Sequence, residues 1–360
     1  MATYNLTVPN KNGSYDGDYV VKQYTSLTIN AGNTLTTDQP CRGLMILVQG
    51  DCVINGTLSM KARGPSANPT TGGASDGNAV SASGLQLPFY TASGSSTLNA
   101  SATLFNGCGS DVRSVVANFR SIVGNGDVMS ITRTGSGDRT ISSAGTGQVN
   151  GTTGTSGTNS TGGGGTGSSG YDHNGSRTGM KGRSGTCFGG GSGGGGLNGS
   201  NGGLVFSDLD AQAYGGRGGH GWAGHTSWCT GGAGNPTGDS PLVNQNGSGG
   251  AVTSSNGETG TGGVIWLIVG GNLTIGSGGL ITVQGSRSDG IDGNGYNWLS
   301  TGGGSGAGVV KIAHRGTYTN NGTINTAGGL AGTWFDGGNG QYCSNGGNGG
   351  GGHAQVLSVL

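Results

Sequence analysis

Carboxylate pairs are the first residues to consider, because two carboxyl groups about 5 to 9.5 Å apart can hydrolyse a glycosidic bond. The chain has only 16 acidic residues among 360, and Glu258 is its single glutamate. Asp289 and Asp292, in the segment SDGIDGNG, form the best candidate pair. Asp–Gly steps are above all turn formers, and the segment lacks the aspartate spacing and the distal glutamate of a calcium loop. We therefore expect a protein that is not an enzyme.

Histidine and cysteine gather once, in residues 216–229 (GRGGHGWAGHTSWC). Zinc sites favour ligands paired at tight spacing, such as Cys-x-x-Cys, which His220, His225 and Cys229 do not show. Glycine patterns of the nucleotide-binding kind occur, but none follows a strand and opens a helix. The 16 basic and 16 acidic side chains give a net charge of zero, so nothing draws the chain to nucleic acid or to an anionic membrane. We expect no cofactor, no metal, no nucleic acid and no membrane insertion.

Aromatic residues are better candidates for a binding surface, since tryptophan and tyrosine give a large contact area at a low entropy cost. Those in segments that the sequence predicts as loops are Trp222, Trp228, Tyr296, Trp298, Trp334 and Phe335. Glycans, or a surface of another protein, are the partners expected for such a set. The alternative is that the rings only close the ends of glycine layers, and the sequence favours neither reading.

A short repeat indicates the scaffold. Residues 26–36 (SLTINAGNTLT) match residues 272–282 (NLTIGSGGLIT), and residues 50–58 (GDCVINGTL) match residues 316–324 (GTYTNNGTI) without a gap. Each unit alternates apolar and polar residues on both sides of a Gly or Asn corner, which is typical of a β-solenoid with one or two strands per turn. We therefore predict one continuous solenoid that is split by a large insertion.

Glycine dominates the insertion. Gly accounts for 88 of the 360 residues, and residues 189–203 read GGGSGGGGLNGSNGG. A flexible linker is one interpretation. The other is a lattice of polyproline-II-like segments, whose outward N–H and C=O groups bond to neighbouring segments. Aromatic and aliphatic residues at the ends of the tracts favour the lattice. The predicted fold class is all-β: parallel β-helix-like solenoid turns at both ends, with a large polyglycine II-like insertion.

The sequence divides into four predicted regions. They are N-terminal strands and the first solenoid turns (1–64), an insertion with one short helix at residues 111–123 (65–144), a glycine-rich domain (145–263), and C-terminal solenoid turns with glycine-rich loops (264–360).

The chain begins without the basic and apolar segments of a signal peptide, and no apolar run approaches the about 20 residues of a membrane span. Its composition is nevertheless that of an outward-facing protein, with only 9% charged residues. A protein made in a host cytoplasm and displayed outside fits a virion component. Because the cytoplasm is reducing, the cysteines are expected to be free thiols at synthesis. They are Cys41, Cys52, Cys108, Cys187, Cys229 and Cys343.

Glycine tracts such as residues 188–203 and 337–353, with Trp and Tyr at their ends, resemble the distal receptor-binding adhesins of tailed bacteriophages, whose glycine-rich domain packs polyglycine II helices. Residues 320–329 (NNGTINTAGG) are similar to rungs of phage tail fibres and tailspikes. The resemblance covers the last two-thirds of the chain loosely and the rungs at both ends more tightly. The chain departs from the adhesins in having a solenoid at both termini.

This resemblance implies a non-enzymatic virion structural protein, in the tail fibre or adhesin apparatus, that mediates attachment to the host surface. Its partners would be other virion subunits, with a homo-oligomer as one option. Three alternatives stay open: a capsid fibre or decoration protein, a polysaccharide depolymerase on the same solenoid and, remotely, an ice-binding protein with flat Thr-rich faces.

Overall fold

The computed structural model describes two large parts of the chain and several short segments between them. The described residues are 1–11, 17–64, 150–157, 161–166, 170–172, 175–179, 182, 185, 189–191, 193, 197–198, 222–223, 252–253, 261–287, 290–292, 298–300, 303–331, 334–335 and 342–358. The helix predicted at residues 111–123 lies outside them.

Three parallel sheets form a β-solenoid, and each complete turn gives one strand to each sheet. Sheet 1 contains β2 (Val20–Tyr24), β5 (Leu44–Val48), β13 (Val264–Val269), β18 (Val309–His314) and β23 (His353–Ser358). Sheet 2 contains β3 (Leu27–Ile29), β6 (Cys52–Ile54), β14 (Leu273–Ile275) and β19 (Tyr318–Asn320). Sheet 3 contains β1 (Thr3–Leu6), β4 (Thr34–Thr37), β7 (Thr57–Ser59), β15 (Leu280–Thr282) and β20 (Thr323–Asn325). The fold class is confirmed, but the expectation of one or two strands per turn was wrong.

The register of the strands matches the sequence repeat. Leu27, Cys52, Leu273 and Tyr318 pair in succession along sheet 2. The two alignments, which match Leu27 with Leu273 and Cys52 with Tyr318, therefore join equivalent positions of their turns. Strand β7 pairs with β15, and β5 with β13, although residues 60–263 separate them in the chain. The two ends therefore build one continuous solenoid, as the repeat predicts.

One apolar core runs along the inside of the solenoid. Alternate residues of each strand face it, so that Leu35, Leu58 and Ile281 stack in neighbouring turns of sheet 3. The three inner strands of sheet 1 are buried on both faces, because every residue of β5, β13 and β18 is buried. A strand with two buried faces reads as a continuous apolar run, which is the pattern of Val264–Val269.

Polar residues take inward positions in the two outermost turns. Lys22 continues the row of Ile46, and Asn320 continues the row of Ile54 and Ile275. Lys22 is half-buried, which fits an aliphatic stem on the core and a charge in water, whereas Asn320 is exposed. The solenoid is thus closed at its ends by side chains that would be unfavourable inside a longer stack.

Equivalent polar residues end the sheet 3 strands of three successive turns. Ser59 Oγ accepts the N–H of Lys61 at 3.1 Å, and Thr282 Oγ1 accepts that of Gln284 at 3.3 Å. In the next turn, Asn325 Oδ1 accepts the backbone N–H two residues later at 2.9 Å. These local bonds turn the chain out of the sheet, and in the last two turns it enters a glycine-rich tract directly afterwards.

The glycine-rich tracts bond to one another in a repeat of three residues. The N–H groups of Gly151, Gly154 and Gly157 donate to the carbonyls of residues 345, 348 and 351 at 2.7, 2.8 and 2.9 Å. The N–H groups of Gly162 and Gly165 donate to the carbonyls of Ala307 and Gly304, respectively. Those of Gly350 and Gly347 donate to the carbonyls of Gly163 and Thr166. A polyproline-II-like segment has three residues per turn, which gives this spacing. The described tracts are therefore bonded to each other and do not act as free linkers.

Glycine is required where a tract faces its neighbours. A Cβ atom on Gly154 would overlap the carbonyl oxygen of Gly163, and one on Gly151 would overlap that of Thr166. Thr153 and Ser156, between the inward glycines, are exposed. The segment NGTTGTSG thus carries glycine at every third position because only that side of the tract lies against another backbone.

Candidate functional site

Paired tracts lead away from the solenoid and return to it. Residues 283–287 and 303–308 run antiparallel, since Gly308 N–H donates to Val283 O and Ser305 N–H to Ser286 O, at 2.8 and 3.0 Å. Residues 326–331 and 345–352 also run antiparallel. The N–H of Gly349 donates to the carbonyl of Gly329, and that of Gly352 donates to the carbonyl of Thr326. The chain between the two tracts of each pair consequently lies at the end remote from the solenoid.

Short strands occupy this remote end. Between the tracts of the first pair lie β16 (Gly290–Asp292) and β17 (Trp298–Ser300), and between those of the second lie β21 (Trp334–Phe335) and β22 (Tyr342–Ser344). Two strands of the insertion join them, β11 (Trp222–Ala223) and β12 (Val252–Thr253). The resulting sheets are β11-β17-β22, called sheet 4, and β12-β16-β21, called sheet 5.

Sheets 4 and 5 adjoin, because β11 lies beside β16 as well as β17. Strand β8 (Gly170–Asp172) also approaches β17 and β22. It belongs to a further small sheet with β9 (Gly175–Gly179) and β10 (Leu197–Asn198). The remote end is therefore a layer of short strands that begins where the glycine tracts stop.

The aromatic residues selected from the sequence concentrate in this layer. Trp222 lies on β11, Trp298 on β17, and Trp334 and Phe335 form β21. The other two, Trp228 and Tyr296, lie outside the described residues. Residues far apart in the chain thus lie in adjoining sheets, and for Trp298, Trp334 and Phe335 the described tracts on either side of their strands bring them there.

Register places three aromatic residues on one face of sheet 4. Trp298 pairs with Tyr342 in the parallel ladder, and Trp222 pairs with Ser300 in the antiparallel one. Paired residues share a face, and so do residues two apart in a strand. Trp222, Trp298 and Tyr342 therefore share one face with Ser300. Tyr342 was missed in the sequence, although it precedes a returning glycine tract as Trp298 does.

Of the carboxylate and metal candidates, only Asp292 lies within the described residues. Asp292 ends β16, opposite Phe335, whereas Asp289 lies outside the described residues. His220, His225 and Cys229 also lie outside them. Within the described ranges, no group of three or more His, Cys, Asp or Glu residues could hold a metal ion. The same part of the chain contains no helix long and apolar enough to cross a membrane.

A buried lysine lies in the solenoid, away from this layer. Lys311 is inaccessible to solvent, and its Nζ donates to Gln355 Oε1 at 2.6 Å. Burial lowers the pKa of Lys311 to about 8. Burial, and secondarily the charge of Lys311, lowers the pKa of His353. Since these residues belong to β18 and β23, we interpret the pair as a structural contact between the last two strands of sheet 1.

The two described cysteines are structural as well. Cys41 and Cys52 are both buried in the first turns of the solenoid. Burial raises the pKa of Cys52 to about 12, so the thiolate that would act as a nucleophile or ligand does not form near neutral pH.

Comparison of the chain with protein-family models, curated proteins and solved structures found no match.

Proposed function

We propose that this protein is a non-enzymatic virion protein of a tailed phage, part of its tail fibre or adhesin apparatus, and that it attaches the particle to the host surface. One observation carries the proposal: Trp222, Trp298, Trp334 and Phe335 lie in adjoining sheets at the end remote from the solenoid. The solenoid then acts as a rigid base, and the aromatic layer as the contact surface.

Glycans of the host surface are the partner class that this layer fits best. Trp222, Trp298 and Tyr342 share a face of sheet 4 with Ser300. Aromatic rings supply large apolar contact areas that are ordered at little entropic cost, and a hydroxyl can bond to a sugar. An outer-membrane protein remains the second partner for the same surface.

The test is adsorption of virions that carry paired substitutions. We expect Trp222→Ala with Trp298→Ala to weaken attachment about thirtyfold or more, because truncating a true anchor costs about 2 kcal/mol or more. Tyr4→Ala is the matched control, since Tyr4 is an aromatic residue on the solenoid and 56% exposed. It should leave adsorption unchanged.

A second pair of substitutions separates this proposal from its rivals. Virions with Asp289→Asn and Asp292→Asn should adsorb normally. Loss of adsorption in that variant alone would support a polysaccharide depolymerase instead. Normal adsorption of both double variants would support a structural role, as a capsid fibre or decoration protein, and immunolabelling of the particle would then locate the chain.

A further inference from the structure

Asn–Gly steps recur through this chain, among them those that begin at Asn55, Asn150, Asn321 and Asn348. This dipeptide is especially prone to deamidation, because glycine has no Cβ to hinder attack by its own backbone nitrogen. A protein so rich in these steps would be expected to accumulate charge and isoaspartate with time. The fold determines which of the steps can react.

The reaction needs two free groups. The glycine nitrogen loses its proton and bonds to Cγ of the asparagine, the C–N bond of the carboxamide breaks, and ammonia leaves. Water then opens the succinimide to aspartate or isoaspartate, so atoms balance with water consumed and ammonia released. A hydrogen bond that holds the glycine N–H opposes the first step, and one that holds the carboxamide opposes the approach of Cγ.

At Asn150 both groups are held by another glycine tract. The N–H of Gly151 donates to the carbonyl of Asn345 at 2.7 Å. Asn150 Oδ1 accepts the N–H of the same Asn345 at 2.9 Å. Ring closure would require both bonds to break, which detaches this tract from its neighbour.

Asn348 is held in the same manner. Gly349 N–H donates to Gly329 O at 2.8 Å, and Asn348 Oδ1 accepts the N–H of Ala331 at 2.8 Å. The side chain of Asn348 is exposed, so burial does not protect it. Protection comes from the backbone bonds between tracts.

Inside the solenoid, a strand of the neighbouring turn protects Asn55. Gly56 is buried, and its N–H donates to the carbonyl of Ile29 at 2.9 Å. That bond lies within the stack of turns, which must open before the nitrogen can lose its proton.

Asn321 differs from these three residues. It forms the corner between β19 and β20, the outermost strands of sheets 2 and 3. The N–H of Gly322 donates only to the side chain of Asn320, at 3.0 Å, and Asn320 and Asn321 are both exposed. Within the described part of the chain, no hydrogen bond to the Asn321 carboxamide is formed. Rotation of the exposed Asn320 side chain, which also bonds to the side chain of Tyr318, frees the nitrogen.

We propose that Asn321 is a site of spontaneous deamidation in the folded protein, and that bonds within the solenoid and between the glycine tracts protect Asn55, Asn150 and Asn348. The product is a new carboxylate at the corner of an outermost turn. The proposal is independent of the function proposed above.

Peptide mapping by mass spectrometry tests it. The full-length folded protein would be incubated in mildly alkaline buffer, and deamidation at the four residues followed with time. We expect Asn321 to react about tenfold faster than Asn150 or Asn348, because the reaction at those two residues must first break a hydrogen bond between tracts. A good hydrogen bond contributes about 1.4 kcal/mol net, which corresponds to a factor of ten in rate. Equal rates at the three residues in the folded protein would overturn the proposal.

Two further measurements attribute the difference to structure. In urea-unfolded protein the rates should converge, and a persistent lead of Asn321 would assign the effect to local sequence, which also overturns the proposal. Asn320→Ala removes the acceptor and should accelerate reaction at Asn321, whereas Thr319→Ala, also at an exposed position of β19, should not. An unchanged rate in Asn320→Ala would exclude the protective role of that bond.

Discussion

Gly154 donates its backbone N–H to the carbonyl of Asn348 at 2.8 Å, so a tract of the large insertion is bonded to a tract near the end of the chain. This bond shows that the insertion and the C-terminal tracts share one hydrogen-bonded assembly. It also explains why glycine is needed at residue 154, since any larger residue there would meet a backbone.

A methyl group at residue 154 should destabilise the tracts. In Gly154→Ala the new Cβ overlaps the carbonyl oxygen of Gly163, and overpacking of this kind costs about 1 to 3 kcal/mol. Thr153→Ala is the matched control, because Thr153 is exposed in the same tract. Urea denaturation and amide hydrogen exchange of residues 150–157 would measure the difference. Equal stability of the two variants would contradict packing between these tracts.

Truncating the core between turns should destabilise the solenoid. Leu58 is fully buried and pairs with Ile281 of the next turn, across the insertion. We expect Leu58→Ala to lower the free energy of unfolding by about 2 to 5 kcal/mol, as for other large-to-small core substitutions. Thr57→Ala, at a half-buried outward position of the same strand, should cost much less. If denaturation gives similar losses for both, the shared core is not continuous.

Lys311 should make stability rise with pH just above neutrality. Burial holds its pKa at about 8 in the folded protein, below its ordinary value of 10.5. Between these values the unfolded chain binds more protons than the folded one, so raising the pH stabilises the fold. From about pH 8 to about pH 9 the contribution is about 1 kcal/mol. It should be absent in Lys311→Met.

The measurement is the difference in unfolding free energy between the wild type and Lys311→Met at each pH. The comparison with the variant is necessary because Cys52 acts in the opposite direction. Its pKa is raised to about 12, so the unfolded chain loses that proton first and stability falls as the pH rises above the ordinary thiol value of 9.0. A difference that does not change with pH would show that Lys311 is not buried as described.

Cys52 should be unreactive in the folded protein. It is buried, and its raised pKa leaves almost no thiolate at mildly alkaline pH. Iodoacetamide should therefore alkylate Cys52 only after unfolding, as peptide mapping of native and urea-treated samples would show. Rapid alkylation of the native protein would mean that the first turns of the solenoid open readily.

The sequence by itself determined the repeat and its register. Alternation of apolar and polar residues is a local property with period two, so the match of residues 50–58 to 316–324 is enough to place Cys52 and Tyr318 at equivalent positions of their turns. The same alternation identified Leu58 and Ile281 as core residues. A one-residue shift would have turned every core side chain outward, and for that reason the register is readable.

The third strand of each turn was decided by the tertiary structure. Residues 44–48, 264–269 and 309–314 carry apolar residues without strict alternation, because sheet 1 is buried on both faces. Periodicity cannot distinguish such runs from other buried segments. The burial of Lys311 is likewise invisible in the sequence, since it depends on what covers the outer face of β18.

The neighbours of each glycine tract were also decided by the tertiary structure. Most bonds between the tracts join backbone N–H and C=O groups, which are the same at every residue, so the sequence encodes little of which tract bonds to which. The solenoid decides the pairing, because each pair of tracts leaves it after one sheet 3 strand and returns to it before the next sheet 1 strand. The pairs are residues 283–287 with 303–308 and residues 326–331 with 345–352. The solenoid turns thereby bring Trp298 and Tyr342 into one sheet, where Trp222 pairs with Ser300, and the positions of these residues in the chain could not reveal this arrangement.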